Sequence, residues 1–396
     1  MDRPTPRRGP ALTPSAPRFA ALAALALAAL PFAAEPAQAQ ERAARADQIF
    51  VTRNSGTVVR SGIVKQNGLA EVVVEEDGRE RKYPTGEVER IVFGDVPRSF
   101  KDGDAYFDRG DFANAAASFR VAATDAGTRD VVQALARLHA AEALMKGGAS
   151  DQNLFAEARD ELDRFLSDHP TNRDVPEARY LRARAMHLAG DASAAAQEYL
   201  ALFGEENDGK PTTGYDLVLC YRAGLRGAQA HLDAGETDAA RTAYTQLRSA
   251  VMNAAGSVDP ADPRKHELDQ LAARARLGEG FCMLASGSAA QAKTFFDRSL
   301  TSGSGEDVNG ARLGKAAALL AEGAVREAQL EFATVSALDH TDRDRVARAM
   351  VGLAECTLRL GDKNAKESAR ALLEAVVARY GDTPALAAAQ EKLAAL

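Results

Sequence analysis

A chain of 396 residues with formal net charge −7, 27% charged and 46% hydrophobic side chains can bury a sizeable core. Its acidic balance disfavours nucleic acid and anionic membrane surfaces as partners. Three widely spaced cysteines, Cys220, Cys282 and Cys356, with no CxxC pair, argue against a disulfide framework or a zinc ribbon. Each sits in an apolar helical stretch and is expected as a small buried thiol.

In chain order, the first segment reads as an export signal. Arg3, Arg7, Arg8 and Arg18 precede an uncharged Ala/Leu run from Phe19 to Ala34, and Ala37-Gln38-Ala39 follows as an A-x-A cleavage site. The run is short for a bilayer and is broken by Pro31, so residues 1–39 are expected to be cleaved rather than retained as a span. Removing them takes away a net charge of +2 and leaves −9. The expected location is the periplasm or another exported envelope compartment, with no membrane span after cleavage.

Between residues 46 and 96 the apolar pattern alternates. Asp47–Thr52, Thr57–Val64, Leu69–Glu76, Arg79–Tyr83 and Glu87–Phe93 read as five short strands. Asp77-Gly78 is a two-residue hairpin signal because both positions tolerate positive φ. Asn54-Ser55-Gly56 and Asn67-Gly68 mark other turns, and Gly62 allows a strand to bend. The module resembles a small SH3-like or Sm-like β-barrel. It lacks the basic and aromatic clusters of an RNA-binding surface, which leaves docking, oligomerisation or capping of the first helical hairpin as its expected roles.

From residue 97 to 396 the period becomes helical and one unit recurs. Around a turn glycine, Gly110, Gly190, Gly235, Gly287 and Gly323 share one frame. A small residue stands seven positions before the turn (Gly103, Ala183, Ala228, Gly280, Ala316). Another stands five after it (Ala115, Ala195, Ala240, Ala292, Ala328), and an aromatic nine after it (Phe119, Tyr199, Tyr244, Phe296, Phe332). Small residues let two helices cross closely, while the aromatics fill the gap towards the next unit. Two looser units turn near Gly148 and Gly361. Thr383-Pro384 then starts a last helix suited to capping the stack.

This pattern resembles the tetratricopeptide repeat family, although Trp is absent and the unit length varies. The resemblance implies a mainly α fold: a right-handed α-solenoid of about seven hairpins behind the β-barrel. It also implies a concave wall that binds a protein or peptide. Carrying the family's groove positions onto this chain gives Asp104, Phe107, Glu142, Met145, Arg184 and His187 in the first three units. Gln229, Leu232, Phe281, Leu284, Glu355 and Leu358 follow further along.

No reactive constellation accompanies these positions. Six histidines never recur at metal-ligand spacing, and His266-Glu267 lacks the second His of HExxH. The stretch from Gly310 to Ala316 falls short of a phosphate loop, and Asp339, Asp342 and Asp344 lack a calcium loop's spacing. The sequence therefore points to a non-catalytic scaffold without cofactor or metal, binding an envelope protein and open to homo-oligomerisation. An adaptor resembling the periplasmic coordinators of Tol- or Exb-type complexes, and a non-catalytic subunit of a peptidoglycan- or glycan-acting enzyme, are the alternatives.

Overall fold

The structure, a computed structural model, describes residues 46–53, 56–207, 209–302 and 307–396. The expected export signal, the Asn54-Ser55 part of a turn and residues 303–306 lie outside the described residues.

Five strands form one antiparallel sheet: β1 (Asp47–Arg53), β2 (Gly56–Asn67), β3 (Glu71–Glu76), β4 (Arg79–Pro84) and β5 (Val88–Val92), in the order β4-β3-β2-β1-β5. The Asp77-Gly78 turn has positive φ at both residues, as its hairpin requires. Gly62 lets β2 lie close to β3: a methyl group there would meet the Glu75 carbonyl oxygen at 2.6 Å. The expected barrel is not formed. β4 and β5 remain the two edges, linked by the short 3-10 turn Thr85–Glu87, and the sheet stays open. Backbone groups at the β2–β3 turn and at the start of β5 bond to the helical region. Leu69 N donates to Thr171 O at 2.8 Å, and Arg173 N donates to Asn67 O at 2.9 Å. The Arg173 guanidinium caps Val88 O, also at 2.9 Å.

The sheet is joined to the helices by charge as well as by apolar contact. Asp47 faces inward and is fully buried. It accepts from Val64 N and Gly94 N and forms a two-pronged pair with Arg129, at 2.7 and 2.8 Å. Every lone pair of a carboxylate this deep needs such partners.

The helical region consists of seven hairpins and a final helix. They are α1 (Arg98–Asp108) and α2 (Phe112–Thr124), α3 (Asp130–Gly147) and α4 (Asn153–Asp168), and α5 (Val175–Leu188) and α6 (Ala192–Phe203). Next come α7 (Leu217–Asp233) and α8 (Thr237–Ser257), then α9 (Pro263–Ala285) and α10 (Ala289–Ser302). The last pairs are α11 (Val308–Ala321) with α12 (Val325–Leu338) and α13 (Arg343–Leu360) with α14 (Ala365–Tyr380), followed by α15 (Ala385–Ala394). Each helix packs on the next, and α5, α7, α9, α11 and α13 also touch one another in succession. The first helices of the hairpins thus form one wall.

The repeat frame accounts for this packing. All five alanines after the turn are fully buried, and the five aromatics are at most 2% exposed. The turn glycines 110, 190, 235, 287, 323 and 361 adopt positive φ, where a Cβ would be strained. Gly148 departs from this expectation. Its φ is −57°, and it is small because Phe155 packs directly against it.

A further position joins neighbouring units. Gly278, Gly314 and Gly352 each lie nine residues before a turn glycine, and each receives the aromatic of the preceding hairpin. Added methyl groups would stand 2.3 Å from Tyr244, 2.2 Å from Phe296 and 2.5 Å from Phe332. All three cysteines are buried and free.

Candidate interaction surface

The inner wall is not an open groove, because α13 lies across it. Asp342 caps α13 by accepting from Arg345 N at 3.2 Å, and the next turns present Arg343, Asp344, Arg345 and Arg348. Arg348 donates to both oxygens of Asp233, at the end of α7, over 3.0 and 2.8 Å. The same carboxylate meets His187 Nε2 from α5 at 3.1 Å and accepts from Gln229 at 3.0 Å. Longer ion pairs join Asp344 to Arg226 (3.8 Å) and Asp342 to Arg274 (3.7 Å). Four hairpins are therefore tied through one polar seam.

Burial and charge compete along this seam. Burial pushes the Asp233 carboxyl up, but Arg348 and His187 more than offset that and hold it well below the usual carboxylate range. At Asp342 burial again opposes ionisation, and Arg226, Arg345 and Arg274 together pull the carboxyl down. Asp307 goes the other way. Burial dominates the pull of Arg345 and Arg274, Asp342 and Asp339 add repulsion, and the group is pushed up to about 6. One of its oxygens is buried without a hydrogen-bond partner.

The turn after α14 closes a second contact. Asp382 accepts from Arg184 through its backbone oxygen at 2.8 Å, and its carboxylate stands 3.6 Å from the same guanidinium and 2.9 Å from Arg343. Lys392 of α15 reaches Glu355 at 2.9 Å.

The sequence-derived groove residues separate accordingly. Phe281 and Glu355 line one cleft of about 560 Å³, between α11, α13 and α15. Its apolar wall includes Leu313, Leu320, Phe332 and Val351, and its rim includes the exposed Ala387 and Ala388. Gln229, Leu232 and Phe281 border an adjoining cavity of about 150 Å³. Arg184 and His187 face a polar space of about 290 Å³ against Asp342 and Asp382.

The other positions line none of these spaces. Asp104 is exposed, 3.8 Å from His139, and burial together with Asp108 raises its carboxyl. Phe107 stacks edge-on with Phe112 at 5.4 Å between centroids. Met145 is buried, and Glu142 is half-buried and raised first by desolvation, then by Glu177. Leu284 and Leu358 pack on local apolar clusters. Sequence reasoning passed over Ala317 and Leu320, which line the main cleft. Both stand at the groove offsets from Gly323, so the signal was present in the repeat register.

Among the described residues no group of three or more His, Cys, Asp or Glu is placed to hold a metal ion. No described helix is long and apolar enough to cross a membrane.

These features define a class: a tetratricopeptide-like α-solenoid carrying a small open N-terminal sheet. No protein-family model and no curated protein matches the sequence. Among solved structures, a tetratricopeptide repeat protein from Parabacteroides merdae is similar at 15% identity and a TM-score of 0.44, over 70% of this chain and 90% of that one. The pilF protein of Pseudomonas aeruginosa is similar at 17% identity and a TM-score of 0.29, over 66% of this chain and 99% of its own. The assignment of the fold rests on the hairpin geometry described above.

Proposed function

We propose that this chain is an exported, non-catalytic scaffold that binds a partner protein in the cleft between α11, α13 and α15. The cleft carries the proposal: it is the largest of the spaces described above and is walled by Phe281, Leu313, Leu320 and Phe332. An apolar wall of this kind suits the apolar stripe of a partner helix or extended segment. The basic, apolar and A-x-A order of residues 1–39 supports export and, with it, a partner in the envelope.

The test uses Ala388→Glu, which narrows the cleft from an exposed position and leaves the core intact. Leu330→Glu, at a residue 70% exposed on α12, serves as control. Wild type and control are expected to capture the same envelope protein from an extract, and Ala388→Glu to lose it. Equal capture by all three would overturn the assignment of the cleft. Sequencing of the exported protein's N-terminus is expected to start at Gln40, and a product beginning at Met1 would contradict cleavage.

A further inference from the structure

The two ends of the helical stack are far apart in sequence and touch in space. Gly381, after α14, sits against Ala149 in the turn between α3 and α4, so closely that a methyl group on it would lie 2.2 Å from Ala149 Cβ. Leu386 of α15 is 1% exposed and belongs to the apolar cluster of the first three hairpins and the sheet. Val377 of α14 packs on the same cluster. Gln152 bonds to Gln390. Around the turn, Asp382 faces Arg184 from α5, Lys146 from α3 and Arg343 from α13.

We propose that residues 381–396 are a latch that holds the solenoid closed over its own inner wall, and that the partner cleft opens when this latch lets go. The contact has the composition of a reversible joint. Its apolar part is small, Leu386, the flanking Val377 and the glycine–alanine contact, and the rest is ion pairs and one amide pair. Three cations converge on one carboxylate that is still 20% exposed, so salt and competing charges can reach it. By contrast, the joints between successive hairpins bury whole aromatic rings. Closure therefore buries less apolar side chain than those joints and is placed to give way before them. Release would uncover Arg184 and free α15 from the first hairpins, leaving it held only by its packing on α13 and α14 and able to shift at the cleft it borders. The gating role rests on the interaction proposed above, whereas closure is measured in the free protein, so the two can fail separately.

Gly381 offers a specific wedge. Its φ of −63° suits any L-residue, and an alanine there strains chiefly the contact with Ala149, at 2.2 Å from its Cβ and 2.9 Å from its Cα. For the free mature protein, Gly381→Ala is expected to raise the radius of gyration in solution scattering. Amide exchange between Met145 and Gln152 and between Arg184 and Leu188 should become about tenfold faster. Helical circular dichroism should remain at the wild-type level. Adding Ala149→Gly removes the nearer clash, at the methyl, and is expected to move both readouts back towards wild type. Lys146→Glu with Arg184→Glu should open the chain by a route that leaves Gly381 in place. An unchanged radius and exchange pattern in Gly381→Ala and in the charge-reversed variant would overturn the latch. So would loss of helicity that Ala149→Gly fails to rescue, because the joint would then be core rather than closure.

Discussion

The sheet with its first three hairpins and the inner wall from the third hairpin to the seventh are held together in different ways. In the first region one apolar cluster runs without a break from Ile49 and Val51 through Phe119 and Leu144 to Leu188. Its most deeply buried carboxylate, Asp47, has four hydrogen-bond donors. In the second region the apolar clusters are smaller and separate, and hairpins distant in sequence meet through Asp233, Arg348, Asp342 and Arg274. Burial of apolar area is non-directional and insensitive to salt, whereas ion pairs are directional and respond to pH and salt. The molecule therefore has a rigid end and an adjustable interior.

Four substitutions sharpen or break that contrast. The largest effect is expected from Ala240→Asp, which places a charge at a fully buried position between two helices shared by the whole frame. A loss of more than about 4 kcal/mol in denaturant unfolding would fit, and an unchanged melt would remove the repeat frame at that unit. Asp47→Ala leaves Arg129 half-enclosed without its partner and should cost about 3–5 kcal/mol. Its loss should appear in the amide exchange of the sheet before that of α13.

Asp307→Asn acts in the opposite direction. A carboxyl raised from 3.8 to about 6 on folding favours the neutral native form. Its contribution to stability is present below pH 4 and is lost as pH rises through 6. An amide cannot ionise and still accepts from Arg345, so the variant should gain on wild type between pH 4 and 6, by up to about 3 kcal/mol. Thermal melts at stepped pH would show this, and a pH-independent difference would not fit. The smallest effect belongs to Lys265→Ala. It breaks an exposed pair with Asp269 on the outer side of α9 and should shift stability by no more than about 0.5 kcal/mol.

Much of the fold was legible in the sequence because small and aromatic residues at fixed offsets have a steric meaning wherever they occur. Ala115, Ala195 and Ala240 with Phe119, Tyr199 and Tyr244 located the hairpins, and the matching burial follows from helix packing alone. The glycines at 278, 314 and 352 were equally periodic, but their partner is the aromatic of the preceding hairpin, so a frame confined to one hairpin misses them. The barrel expectation failed because alternation specifies strands and not whether the two edges meet. Here the loop from Thr171 to Arg173 bonds the β2–β3 turn and the first residue of β5, and the edges β4 and β5 stay unpaired with each other.

The groove residues were the least legible. Arg184 and His187 look like solvent-facing polar residues on their own helix. Asp382 and Asp233, which engage them, are set by how far the stack curves, and curvature accumulates from small rotations in every unit.

The central claim is that the seventh hairpin lies against the fourth across the inner wall, and a double-mutant cycle between Asp233 and Arg348 tests it most directly. With Asp233→Asn, Arg348→Met and the double variant measured by urea unfolding, contact between residues so distant in sequence requires non-additivity. The expected coupling is about 1–3 kcal/mol. Additive losses within about 0.3 kcal/mol would show that the two residues do not meet, and the closed inner wall would be contradicted with them.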